Sequence, residues 1–133
     1  MTKKIFIATA MSALTTNEYT DLKASVNDIK ANHPDYDIFS EITNIEQDSF
    51  MTPKDATLLD IDEIEKSNEF ILIHFSNVQS STLFELGIAF NLKKRITIFY
   101  KDIDDLPFML KELDKVTINV TLKKFESFKD ISF

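Results

Sequence analysis

Glu85 is the residue in this chain whose surroundings best suit chemistry. It lies in Ser80-Ser81-Thr82-Leu83-Phe84-Glu85-Leu86-Gly87-Ile88-Ala89-Phe90, soon after the apolar run Phe70-Ile71-Leu72-Ile73-His74-Phe75. The run reads as a strand. The Ser/Thr cluster and the apolar residues after it read as a capped helix. A carboxylate therefore falls in the first turn of a helix, at the C-terminal end of a strand, where open α/β sheets bind ligands. Its neighbours one turn on, Ile88, Ala89 and Leu92, carry no charge, whereas a solvated Glu shares its helical face with polar residues. The helix N-terminus favours the ionised form. Such a carboxylate can act as a nucleophile or steady a developing cation. The spacing Thr82-x-x-Glu85 also fits a capping box, in which Glu reaches back to the cap N–H. The local pattern leaves both roles open.

Other candidates surround the same expected crevice. Thr9-Ala10-Met11-Ser12 follows the first strand. The hydroxyls of Thr9 and Ser12 suit a sugar or phosphate, and Met11 suits the face of a base; a turn with a capping hydroxyl explains them equally well. Ser76, Asn77, Ser80, Ser81 and Thr82 are small and polar between two apolar elements. They suit ribose hydroxyls, and capping needs only one of them. Phe50 and Met51 lie just before a helix start, where an aromatic and a thioether could sandwich a flat base; packing of the loop is the competing role. His74, inside a strand, reads as structural, and His33 precedes Pro34 in a turn. With two separated histidines and no cysteine, no metal site is expected. Asp60, Asp62, Glu63 and Glu65 read as a solvated helix face, and Asp102, Asp104 and Asp105 as a solvated loop.

Composition narrows the classes. The 133 residues suffice for one domain, residues 1–133, and 44% are hydrophobic, with 12 Phe. A net charge of −7 argues against nucleic acid as the partner. Absence of cysteine removes thiol catalysis and disulfides and accords with a cytoplasmic location. No apolar stretch approaches the length of about 18 residues that a membrane span needs. Ile5-Phe6-Ile7-Ala8 is too short for a signal-peptide core. Gly87 is the only glycine, so neither a Walker loop nor a dinucleotide fingerprint is present. No cofactor is expected. A phosphate would have to be held by helix N-termini and side chains such as Lys54.

Strand and helix patterns alternate along the chain. Strands are predicted at Lys4–Thr9, Tyr36–Ser40, Phe70–Phe75, Ile96–Tyr100 and Val116–Val120. Helices are predicted at Asn17–Asn32, from Thr52-Pro53 to about Lys66, at Leu83–Lys94, Leu106–Leu113 and Leu122–Ile131, with Glu41–Met51 a loop. The pattern predicts an α/β, flavodoxin-like, doubly wound five-stranded parallel sheet in the order 2-1-3-4-5, with helices on both faces.

These residues resemble a known family. Lys4-Ile5-Phe6-Ile7-Ala8 with Met11-Ser12 is similar to the first strand and loop of the nucleoside 2-deoxyribosyltransferases. Thr82-Leu83-Phe84-Glu85-Leu86-Gly87-Ile88-Ala89-Phe90, with Lys94 and the strand after it, resembles their nucleophile helix, and Asp62-x-x-Glu65-x-Ser67-Asn68 resembles the segment before their third strand. The resemblance implies that Glu85 attacks the anomeric carbon of a (deoxy)ribosyl group and expels the base, in a homo-oligomer with sites near subunit interfaces. It also shows departures. The family's first-strand Tyr is Phe6 here, and the places of two family aspartates hold Ser76 or Asn77, and Gln79. Leaving-group protonation thus lacks its usual carboxylate. Ser76…Ser80…Glu85-Leu86 is similar also to the Ser-rich stretch of Toll/interleukin-1 receptor-like domains, some of which cleave NAD. Three readings follow: cleavage or transfer at C1 of a nucleoside, nucleotide or NAD; a Toll-like NAD-cleaving or signal-producing domain of bacterial defence; and a nucleotide-sensing or assembly module without turnover.

Overall fold

The computed structural model describes residues 2–10, 14–45, 51–74 and 81–133. Its centre is a sheet of β1 (Lys3–Thr9), β2 (Tyr36–Ser40), β3 (Glu69–His74), β4 (Arg95–Tyr100) and β5 (Val120–Lys124). All neighbours pair in parallel, in the order β2-β1-β3-β4-β5. This is the predicted doubly wound order.

Strand alternation divides the core into two layers. On one face Ile5, Ile7, Ile71 and Ile73 meet Leu22, Val26 and Ile29 of α1 (Thr16–Asn32) and Ile42 of α2 (Glu41–Asn44). On the other, Phe6, Ala8, Phe70, Leu72 and Ile98 meet Ile64 of α3 (Pro53–Lys66) and Leu86 and Ala89 of α4 (Thr82–Asn91). Burial on both sides explains why the inner strands read as unbroken apolar runs.

The helix starts follow their sequence signals. Thr15 and Glu18 form a complete capping box on α1: Thr15 Oγ1 accepts from the Glu18 N–H at 3.1 Å, and the Thr15 N–H donates to Glu18 Oε1 at 3.0 Å. Thr52 Oγ1 accepts from the Asp55 N–H at 3.1 Å, with Pro53 opening α3. No helix among the described residues is long and apolar enough to cross a membrane.

Four expectations need correction. The predicted loop Glu41–Met51 begins with the single turn of α2. Polar residues hid it, because it is held by tertiary contacts: Ile42 is fully buried, and Asn44 Oδ1 accepts from Ser40 N–H, Thr43 Oγ1 and Lys30 Nζ. The fifth strand lies four residues later than expected, since Val116 and Ile118 face solvent while Val120 is buried. The predicted helix Leu106–Leu113 is instead two 3-10 turns, Ile103–Asp105 and Phe108–Leu110, and a short α5 (Leu113–Val116), with Pro107 in extended backbone between the turns. The closing helix Leu122–Ile131 is likewise replaced, by the end of β5 and a 3-10 turn at Phe128–Asp130. Phe125, Phe128 and Ile131 are spaced like a helix face, but they cover the α1 side of the sheet.

Phe6 is fully buried and stacks on Phe39 at 5.4 Å and Phe70 at 5.5 Å, joining three adjacent strands. Phe6→Ala is expected to cost about 3–5 kcal/mol of stability, read as a lower urea midpoint at unchanged slope.

Candidate active site

Glu85 occupies the fourth position of α4, one turn in from the end that follows β3. Ser81 is the cap residue, its side chain makes no capping hydrogen bond, and Phe84 stands where a capping-box Glu would have to be. The capping role weighed for Glu85 therefore fails on position. Its side chain turns inward instead, and the residue is only 4% exposed.

Glu85 is not alone there. One carboxylate oxygen from each of Glu41, Asp60 and Glu85 lies within 4.8 Å of the other two. Three helices supply them. Glu41 opens α2 directly after β2, and the anchoring of Ile42 and Asn44 fixes its direction. Asp60 lies midway along α3 and is 9% exposed. The helices α3 and α4 pack against each other over the same face of the sheet.

Sequence reasoning missed two of these three groups. Asp60 was assigned to a solvated face with Asp62, Glu63 and Glu65. The structure keeps Asp62 and Glu65 exposed and pairs Glu63 with Lys4 at 2.6 Å, but Asp60 points inward. A signal was present: Asp60 is one turn from both Ala56 and Ile64, on the apolar stripe of its helix. Glu41 carried a weaker signal, its place at the carboxyl end of a strand.

Like charges this close in an apolar setting hold their protons. Burial, and then the negative charge of Glu41, raise Glu85 from 4.5 to about 8. Asp60 is also raised well above the ordinary carboxylate range. The causes are burial first, then a hydrogen bond shared with Glu41, then the charges of Glu41, Glu85 and Glu63. The site thus holds a carboxyl that ionises near neutrality, beside a second that keeps its proton. That combination suits nucleophilic or cation-stabilising work.

The remaining sequence candidates are spread out. Thr82 is buried at the start of α4, and Ser81 is exposed beside it. Met51 is exposed two residues before α3. Thr9 ends β1, where alternation places its side chain with Ile5 and Ile7, on the sheet face opposite α4. It is not brought to Glu85. Met11, Ser12, Phe50, Ser76, Asn77 and Ser80 lie outside the described residues. His74 is buried and its Nε2 lies 3.0 Å from the Asp105 carbonyl, to which it donates, as a structural histidine would. Lys54 is exposed near the N-terminus of α3.

Glu85 makes stability depend on pH in a definite sense. Between its ordinary value of 4.5 and its folded value of about 8, the folded chain holds a proton that the unfolded chain has lost. Stability therefore falls as pH rises through this window and levels off above it, at up to ~1.4 kcal/mol per pH unit from this group. Asp60 acts in the same direction. Glu85→Gln removes the Glu85 part, so the variant should gain on wild type between about pH 5 and about pH 8.5 in urea titrations. Parallel pH dependences in the two proteins would contradict the burial of an ionisable Glu85.

Comparison with solved structures shows where this fold recurs. It is similar to the CMP N-glycosidase BcmB of Clostridium botulinum, with a TM-score of 0.70 and 21% identity over 96% of this chain and 93% of that one. A conserved protein from Enterococcus faecalis V583 is also similar, with a TM-score of 0.65 and 14% identity over 98% of this chain and 94% of that one. No protein-family profile and no curated sequence matches the chain. At these identities the likeness is one of fold.

Proposed function

We propose that the chain cleaves or transfers the N-glycosidic bond of a nucleotide or nucleoside, with Glu85 acting at C1 of the ribosyl group. One observation carries this reading: a buried carboxyl at the first turn of α4, poised to ionise near neutrality at the carboxyl end of the sheet. The fold is that of a CMP N-glycosidase, which makes a pyrimidine ribonucleotide the first substrate to test. In the first step a Glu85 carboxylate oxygen bonds to C1 as the C1–N bond breaks. The electron pair leaves with the base, which takes up a proton. In the second step water, or the nitrogen of another base, attacks C1, gives up a proton to solvent and frees the carboxylate. The transition state carries positive charge on the sugar, which the clustered carboxyls favour.

Nucleoside, nucleotide and NAD substrates all present this bond, so one panel separates the readings. The chain is incubated with CMP, deoxynucleosides, their monophosphates and NAD, and released bases are resolved by chromatography. Cytosine from CMP is the expected product, and Glu85→Gln should lower its release at least about 100-fold while the fold survives. Wild-type rates in that variant would remove Glu85 from the mechanism. Nicotinamide alone would move the protein to the Toll-like reading. Binding without any product would favour a sensing module.

In this reading a second copy of the chain covers the outer face of α4. Phe84, Phe90, Phe108 and Met109 are exposed, at 58, 39, 88 and 84%. Leu83, Gly87, Phe90, Phe108, Met109 and Val116 line an apolar groove of about 600 Å³. A Cβ at Gly87 would meet nothing within 4 Å, and its φ is not positive, so the chain's own packing does not demand glycine there. A helical glycine costs about 1 kcal/mol relative to Ala, and close approach of another chain would explain it. Sedimentation should show a dimer or larger species that Phe108→Asp dissociates without unfolding. A monomeric wild type with full activity would overturn this.

A further inference from the structure

We infer that Glu41 and Asp60 form a proton-sharing carboxyl pair that sets when Glu85 ionises, making Glu41 a positioning residue for the nucleophile. This rests on the reading of Glu85 given above. The geometry comes first. The three carboxyls lie within 4.8 Å of one another, and Asp60 and Glu85 are buried. Asp60 Oδ1 is fully enclosed and has no hydrogen-bond partner among the described residues. An ionised carboxylate left so would forfeit its hydration without return, whereas a carboxyl that keeps its proton loses far less. The proton has a place to go: a protonated Asp60 can donate to Glu41, whose carboxylate oxygen lies within 4.8 Å of its own, which a pair of ionised carboxylates cannot do.

The pair therefore carries one negative charge, not two. That charge sits next to Glu85 and holds its proton until the surroundings favour release. Among the described residues the charge that raises Glu85 is that of Glu41, while the charge of Glu85 in turn raises Asp60. The other charged groups facing the cluster are Glu63 of α3, which acts on Asp60, and Lys4 of β1, which binds Glu63 at 2.6 Å and so dampens it. A nucleophile held back in this way is more basic once ionised. The same negative charge then favours a cationic sugar in the transition state.

The test uses two variants and two readouts. Glu41→Gln removes the charge and keeps the shape. Asp60→Asn keeps a donor toward Glu41 but has no proton to lose. The first readout is the pH profile of kcat/KM for base release from CMP. Glu41→Gln should move the acid limb down by at least about one pH unit and lower kcat at the optimum. Asp60→Asn should leave the acid limb where it is. A merely structural role would lower stability in both variants and move neither limb, and that result would overturn the proposal. The second readout needs no substrate: carbon-13 NMR titration of the labelled carboxyl groups. The Glu85 signal should titrate at lower pH in Glu41→Gln than in wild type. If wild type releases no base but the NMR shift appears, the enzymatic reading fails and the pair stands. If base is released but Glu85 titrates identically in both proteins, the pair fails alone. Stoichiometric Mg²⁺ uptake measured by calorimetry, lost in Asp60→Asn, would show a cation where the proposal places a proton and would also overturn it.

Discussion

A sheet covered on both faces leaves little room for polar chemistry. In this chain β1 and β3 are buried against helices above and below, and their buried side chains are mostly apolar. A carboxyl group can reach the interior only from a helix that packs on the sheet, or from the segment where a strand hands over to one. Glu85 and Asp60 take the first route and Glu41 the second. The apolar layers fix the helices, and the helices bring together groups that repel when ionised. The site is thus a by-product of burial that solvation alone would never assemble.

The strain of that assembly is electrostatic. Asp60 and Glu85 would ionise freely in water, and in the fold burial and neighbouring charge hold their protons. The chain accepts this cost at one point and spends ordinary ion pairs elsewhere. Lys4 with Glu63, Lys3 with Glu69 and Lys66 with Asp62 lie toward the solvent and at the N-terminal ends of the strands. No such cation acts on Glu85 among the groups that shift it. Among the described residues, paired acids at one end contrast with a trio of carboxyls that makes no ion pair near the other.

Much of this was legible in the sequence. The sheet order, both strand-borne layers, the caps of α1 and α3 and the place of Glu85 early in a helix follow from periodicity and end signals, which are local. The failures are of two kinds. Beyond Tyr100 the elements are short and held by tertiary contacts, so hydrophobic spacing alone misplaced β5 and read Phe125, Phe128 and Ile131 as a helix face. Asp60 was misjudged because three acidic neighbours suggested a wet surface, although its spacing from Ala56 and Ile64 put it on the dry side. Composition outvoted phase, and phase was right. Glu41 could not be assigned from sequence, since its role depends on α2, a turn that exists only where Ile42 and Asn44 find partners.

That last dependence has a consequence for dynamics. A single helical turn cannot sustain itself, because nucleation costs more than one turn of hydrogen bonds returns. The order of α2 is therefore borrowed from the Asn44 hub, which gathers a backbone N–H of β2, a neighbouring hydroxyl and the ammonium of Lys30 on α1. Local opening of this turn would swing Glu41 away while the sheet stays intact. The electrostatic environment of Glu85 is then an ensemble property, governed by the stability of a four-residue segment more than by that of the whole domain.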